Sequence, residues 1–255
     1  MRRILITNDD GVKSVGIGFL TEMMKPYGDI TVVAPFEPQS GMSAALTIGK
    51  PLRLTELKSE EGVKIYACSG TPADCVKMAM NKIFNNKAPD ILVSGINHGS
   101  NASIGSLYSG TLGAAAEGTL YGIPSIGFSI TSHDPNANFE ATMHFGKKII
   151  DNFLKNPPKP NVYLNVNFPT ATIEEIKGVK FSKQGSGQWV KEFEERKDPY
   201  GFPYFWMTGE FLNIEPQDDL ADHNLVANNY ISIVPHKIDT TDYEELNRLG
   251  NIWEF

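Results

Sequence analysis

Apolar residues along this chain fall into short unbroken runs separated by stretches of helical spacing. Arg2 to Thr7 carries the run Ile4-Leu5-Ile6. Ile17, Phe19, Leu20, Met23 and Met24 then recur as on an amphipathic helix that stops at Pro26-Tyr27-Gly28. "DITVVAP" supplies a second uninterrupted strand. Strands apolar throughout, alternating with helices, predict a parallel sheet covered on both faces. The rhythm changes between Ser40 and Tyr66, where "LTIGKPLRLTEL" and "VKIYACS" flank Ser59-Glu60-Glu61-Gly62 and predict an antiparallel pair, either an insertion or a sheet edge.

The alternation then resumes. Pro72 opens a helix running through Met78 and Ile83, Asp90 to Gly95 forms the next strand, Ser109-Gly110-Thr111 starts a small-residue helix, and "PSIGFSI" returns to the sheet. "NVYLNVNF" is a further strand. After it the residues from Gly187 to Phe211 are aromatic-rich and broken by Gly and Pro, a pattern of hairpins that pack on their own domain or reach to another subunit. The expectation is a Rossmann-like, three-layer α/β/α fold with a mostly parallel sheet, a β-hairpin insertion and an irregular C-terminal extension. It forms one domain over residues 1–255, with a core to about residue 160 and an arm over about residues 161–255.

Composition narrows the function. The 255 residues are 41% hydrophobic and 21% charged with a net charge of -7, and no basic run exceeds a pair such as Arg2-Arg3. A grip on a nucleic-acid polymer through its phosphates is therefore not expected. No segment approaches the roughly 18 apolar residues of a membrane span. Met1-Arg-Arg leads straight into a strand, unlike a secretory leader, which sets the expectation of a cytoplasmic protein with Cys68 and Cys75 as reduced core thiols.

The chemistry is signalled where strands end. Ligands of open parallel sheets bind beyond the carboxyl ends of the strands. Here the first strand ends in Asn8-Asp9-Asp10-Gly11, the second in "APFEPQSG" carrying Ser40, and the "DILVSG" strand in "INHGSN" carrying Asn97, His98 and Asn101. Adjacent carboxylates repel when both are ionised, so a positive partner is expected between them. Carboxylate, hydroxyl and amide oxygens suit a hard divalent cation, Mg²⁺ or Mn²⁺. The five histidines, at 98, 133, 144, 223 and 236, lack the paired spacing of a zinc site. "SGTPAD" and "YSGTLGAA" pair Gly with hydroxyl residues at helix starts, where an anion is favoured.

Each feature has an ordinary counterpart. Asp9 and Asp10 could form an Asx turn and helix cap, Ser40 a solvated turn hydroxyl, Asn97 a turn, and His98 a surface residue. Asp218-Asp219 and Glu194-Glu195-Arg196 read as solvated charge, and Tyr200 to Trp206 as packing or an interface. Convergence on one rim favours a site.

"ILITNDDG", Ser40 after "VVAP", "GTPADCV", "VSGINHGSN", "YSGT" and "LNVNFP" together resemble the SurE family of nucleotidases, in family order over roughly residues 2 to 168, with similarity continuing through Met207-Thr208-Gly209-Glu210 and "YISIVP". The resemblance implies a metal-dependent phosphatase of nucleoside 5'-monophosphates. 3'-Monophosphates and polyphosphate are further candidate substrates. It also implies one cation per subunit on Asp9, Asp10, Ser40 and Asn97, and a homodimer or homotetramer exchanging C-terminal segments. Asp9 and Asp10 double as the catalytic pair. Asn8, Gly41, His98, Ser109, Gly110 and Thr111 are the expected contacts to substrate phosphate. Two positions depart from the family pattern: His98 stands where Arg is common, and Val234-Pro235-His236 leaves the role of His236 open. The rival readings are a haloacid-dehalogenase-type phosphatase, whose two aspartates are spaced by one residue rather than adjacent, and a nucleotide-sensing module without turnover.

Overall fold

Ile4, Leu5 and Ile6 are wholly buried because the strand they form lies at the centre of a sheet packed on both faces. A computed structural model of the chain describes residues 1–253. The elements run β1 (Arg2–Thr7), α1 (Val15–Met24), β2 (Gly28–Pro35), β3 (Leu54–Glu60), β4 (Val63–Cys68) and α2 (Pro72–Met78), the last continuing as a wider turn over Ala79–Ile83. There follow β5 (Ile91–His98), α3 (Gly110–Leu120), β6 (Ser125–Ile130), α4 (Glu140–Lys155), β7 (Val162–Phe168), β8 (Gly178–Phe181), β9 (Gly187–Val190), β10 (Phe193–Lys197), β11 (Pro203–Met207), β12 (Glu210–Asn213), α5 (Asp222–Ala227), β13 (Tyr230–Lys237) and α6 (Tyr243–Ile252).

Nine strands form one sheet in the order β3-β4-β2-β1-β5-β6-β7-β13-β8. Only the β3–β4 and β7–β13 pairs are antiparallel. The expected hairpin before Cys68 is thus an edge of this sheet, with β4 paired in parallel to β2. Alternation along β1 sorts the two cores. Ile4 and Ile6 face Ile17, Leu20, Met23 and Met24 of α1 and Ile149, Ile150 and Phe153 of α4, while Leu5 faces Cys75, Val76 and Ala79 beside α2 and Ala114 of α3. Cys68 and Cys75 are free and buried in this second core.

The sheet does not stop near residue 160. β7, β13 and β8 extend it, so the part of the chain from 161 onward that leaves it is chiefly β9 to β12, two separate two-stranded ladders, β9 with β12 and β10 with β11. α4 was not part of the sequence expectation. Its buried residues Ala141, Thr142, Ile149, Ile150 and Phe153 form a single stripe that covers the sheet beside α1.

The strand order reverses direction between β1 and β5: β2 and β4 follow on one side, β6 and β7 on the other. That switch point opens a crevice at the carboxyl ends of β1 and β5. Asp9, Asp10, Asn97 and His98 stand there.

Candidate active site at the sheet switch point

The turn after β1 is built first. Asn8 donates through Nδ2 to the Gly11 carbonyl (3.0 Å) and to Ser14 Oγ (2.8 Å), and Ser14 in turn caps α1. This locks the carboxylates of Asp9 and Asp10 at the strand tip. Asn8 Oδ1 is buried without a hydrogen-bond partner among the described residues.

Asp9 is 4% exposed. Burial pushes its carboxyl up to about 6 and the Asp10 charge adds to the rise, while a hydrogen bond from Thr111 pulls the other way. Ionising such a group at neutral pH costs roughly 3 kcal/mol relative to a solvated carboxylate. An adjacent cation would remove that cost. Thr111 Oγ1 donates to Asp9 Oδ1 at 2.5 Å from the first turn of α3. Gly110 makes the approach feasible, since a Cβ there would sit 2.8 Å from the Asp9 Cβ.

Asp10 is tied to a different element. Its Oδ2 accepts the His98 backbone N–H (3.1 Å), and the His98 Nδ1 lies 3.5 Å away. The His98 ring packs edge-on against Phe139 at 5.4 Å, and its Nε2 is buried without a partner among the described residues. His98 therefore leans on Asp10 and the core of the α1–α4 layer.

Asn97 reaches the rim through an irregularity. The register of β5 against β6 shifts between Ser94 and Asn97, and such a bulge re-aims the side chain after it. Gly95 permits it: φ is +126° and a Cβ would meet the Phe128 carbonyl at 2.3 Å. Asn97 Nδ2 donates to the Gly99 carbonyl (2.7 Å), which leaves its Oδ1 end for a ligand.

The loop bearing Ser40 is exposed but anchored. Gln39 N–H donates to the Asp9 carbonyl at 2.7 Å, so Ser40 follows directly from a residue bonded to the Asp9 backbone. At Gly41, where φ is +75°, a Cβ would meet nothing within 4 Å. Further along, Thr71 Oγ1 donates to the Ala45 carbonyl (2.6 Å), and Asp74 accepts the Thr47 N–H (3.2 Å). The same pair forms the capping box of α2. "SGTPAD" thus spends its polar groups holding the Ser40 loop, a role visible in its T-x-x-D spacing.

Ser109 caps α3, its Oγ accepting the Leu112 N–H at 3.1 Å. The loop after Asn97 rests on an asparagine ladder. Asn167 Oδ1 accepts the Asn101 N–H (2.8 Å), Asn167 Nδ2 donates to Asn165 Oδ1 (2.9 Å), and Asn165 Nδ2 donates to the Asn101 carbonyl (2.9 Å). This ladder was not anticipated as functional, although alternate Asn residues on an otherwise apolar strand mark it.

Among the described residues no group of three or more His, Cys, Asp or Glu gathers as a metal cluster. The groups that stand at the switch point are of another kind: two carboxylates and the Asn97 amide, with the exposed loop that bears Ser40 tied to the Asp9 carbonyl through Gln39. They fit a hard cation that keeps positions for water and substrate.

The defining sequence pattern of the family described as survival protein SurE matches residues 4–191. A protein of Cytophaga hutchinsonii named 5'-nucleotidase SurE is 46% identical over 252 residues, covering 99% of this chain and 97% of its own length. One of the same name from Bacteroides fragilis is 44% identical over 98% of this chain and 97% of its own. The crystal structure of the SurE protein from Aquifex aeolicus superposes with a TM-score of 0.83 at 36% identity, covering 98% of this chain and 99% of that one.

Proposed function

The chain belongs to the SurE family, and from that premise we propose that it is a 5'-nucleotidase that hydrolyses nucleoside 5'-monophosphates with a divalent cation held by Asp9, Asp10, Ser40 and Asn97. The observation that carries this reading is the buried carboxylate of Asp9, which has the Thr111 hydroxyl but no cationic side chain as partner among the described residues, beside Asp10 at the switch point of the sheet.

When bound, a divalent cation supplies Lewis-acid polarisation of a phosphoryl oxygen and acidifies a water. The protein's own groups do the rest. Asp9 and Asp10 present oxygen ligands from a rigid turn, with Thr111 and the His98 N–H fixing one carboxylate oxygen each. An aspartate oxygen accepts the proton released by the attacking water, which needs no covalent intermediate. The N-terminus of α3, pressed against Asp9 at Gly110, favours the phosphoryl group through its dipole. Ser109 and Thr111 shape that end of the helix, and Asn8, Gly41 and His98 are proposed as further contacts to the substrate phosphate.

The exposed arm supports assembly with a second copy. On one face of the β10–β11 ladder Phe193, Phe205 and Met207 are 61, 58 and 77% exposed, with Phe193 paired across to Met207. Burying such a surface is a strong drive to homo-oligomerise. No described helix is long and apolar enough to cross a membrane.

The test is phosphate release from AMP and GMP, with 3'-AMP and polyphosphate assayed beside them, in Mn²⁺, Mg²⁺ or EDTA. Release that needs the cation, with one solvent oxygen in the product phosphate, is the expected result. Metal-independent turnover or a trapped acyl-phosphate would overturn it.

A further inference from the structure

Across the loop that follows Asn97 lies a cavity of about 550 Å³ over the carboxyl ends of β6 and β7. Ser100 enters from the loop after β5, Thr131 and His133 from the end of β6, and Thr170 from the end of β7; the arm adds Trp189 of β9 and Phe211 of β12. Ser100 is three residues beyond Asn97, within about 10 Å of it along the chain. The cavity therefore adjoins the switch-point site on the same rim.

Its lining has two characters. Trp189 and Phe211 meet edge to face, centroids 5.8 Å apart at 70°, and remain 41% and 36% exposed. His223, also in the lining, meets Phe211 edge to face at 5.4 Å, in a space kept open by Gly185, whose Cβ would strike the His223 ring at 2.1 Å. The rest of the lining mixes hydroxyls with the apolar Pro169, Val226 and Ala227: the Thr131 and Thr170 hydroxyls are 2.8 Å apart, and Ser100 Oγ lies 3.5 Å from Asn167 Oδ1. Half-exposed aromatics together with hydroxyls, in a volume typical of small-molecule sites, suit a flat heterocycle carrying a sugar.

We propose that this cavity receives the nucleoside portion of the substrate, with the base stacked on Trp189 and Phe211 and the hydroxyls facing the sugar, while the phosphate lies at Asp9 and Asp10. The assignment rests on the nucleotidase reading above. Every base has a π-face, so stacking makes the enzyme tolerant of base identity. The two halves of the doubly wound sheet then hold the two ends of one ligand.

The experiment compares 5'-AMP with p-nitrophenyl phosphate, which lacks both base and ribose, in the full-length Mn²⁺-loaded protein. Trp189→Ala and Phe211→Ala are each expected to lower kcat/KM for AMP roughly tenfold or more, through KM, and to leave p-nitrophenyl phosphate within twofold. Trp189→Phe, which keeps a stacking face, is expected to restore most of the AMP value. In parallel, adenosine titrated into the protein should quench tryptophan fluorescence, and that quench should vanish in Trp189→Phe. Equal losses on both substrates, an unchanged kcat/KM for AMP, or a quench that survives Trp189→Phe would each overturn the proposal. If the unmodified protein released phosphate from no monophosphate, the nucleotidase reading would fail, and the adenosine titration would still decide the cavity.

Discussion

Thr111 Oγ1 and Asp9 Oδ1 are joined by a 2.5 Å hydrogen bond that spans 102 positions of sequence and links the start of α3 to the tip of β1. Thr111 is fully buried. Its hydroxyl is committed to the carboxylate, so it acts on phosphate chemistry through Asp9. Replacing Thr111 by Val removes the hydroxyl at nearly constant volume. Mn²⁺ affinity is expected to fall about 10- to 100-fold, the usual cost of losing a group that orients a ligand, with a matching loss of activity at limiting metal. Calorimetric titration of Mn²⁺ into the two proteins measures this.

Asp9→Asn separates stability from function. The folded pKa of about 6 lies above the unfolded value near 4. The stability tied to this group is therefore complete below about pH 4 and is lost as pH rises through 6. The amide never ionises and can still accept from Thr111. At pH 7.5 without metal, Asp9→Asn is expected to melt at or above the temperature of the parent protein. Adding Mn²⁺ should then raise the parent's Tm by several degrees more than the variant's, while kcat of the variant drops by orders of magnitude.

Thr71→Val removes two bonds at once, the cap on the Asp74 N–H and the tether to the Ala45 carbonyl. Loss of such a cap costs about 1–2 kcal/mol, read as a lower urea midpoint. Because the tether restrains the loop that bears Ser40, Mn²⁺ affinity should fall as well. The neighbouring Ser69→Ala, which touches neither bond, should leave that affinity unchanged.

His236 stacks on Tyr163, ring centroids 5.4 Å apart. Burial holds its pKa below the usual value, against the pull of the Asp222 charge. The unfolded chain therefore takes up a proton near pH 6.5 that the folded chain resists. Stability from this group is present above pH 6.5 and is lost as pH falls below it. His236→Phe keeps the stack and removes the proton, so urea midpoints measured from pH 7.5 to 5 should fall less steeply than in the parent.

The arm gives a prediction about assembly. Phe205→Glu with Met207→Glu places charge on the apolar face of the β10–β11 ladder and alters no residue of the switch point. Light scattering after gel filtration should show an oligomer for the parent and a smaller species for the double variant, at comparable melting temperature.

Much of the fold was legible because a parallel sheet buries both faces of each strand. The runs at Ile4 to Ile6 and in "DITVVAP" announce themselves without context, and the strand tips then point to Asp9, Asp10, Ser40 and Asn97. The roles of neighbouring groups were harder to read. His98 and Thr111 look alike as polar residues on site loops, and only the packing of α3 and Phe139 turns both toward the aspartates. α4 escaped because its apolar stripe is diluted by Lys147, Lys148, Asp151 and Asn152 on the outer face. The addition of β13 and β8 to the sheet beyond β7 escaped because β13 pairs with β7 across 65 to 75 positions, a pairing that no local pattern encodes.

The bonds from Gln39 to Asp9, His98 to Asp10 and Thr111 to Asp9 draw together stretches that synthesis separates by up to about a hundred residues. A chain cut before α3 would lack Thr111 and with it one of the bonds that hold the Asp9 carboxylate, so the order of the strand tip depends on a helix that begins about a hundred residues further on.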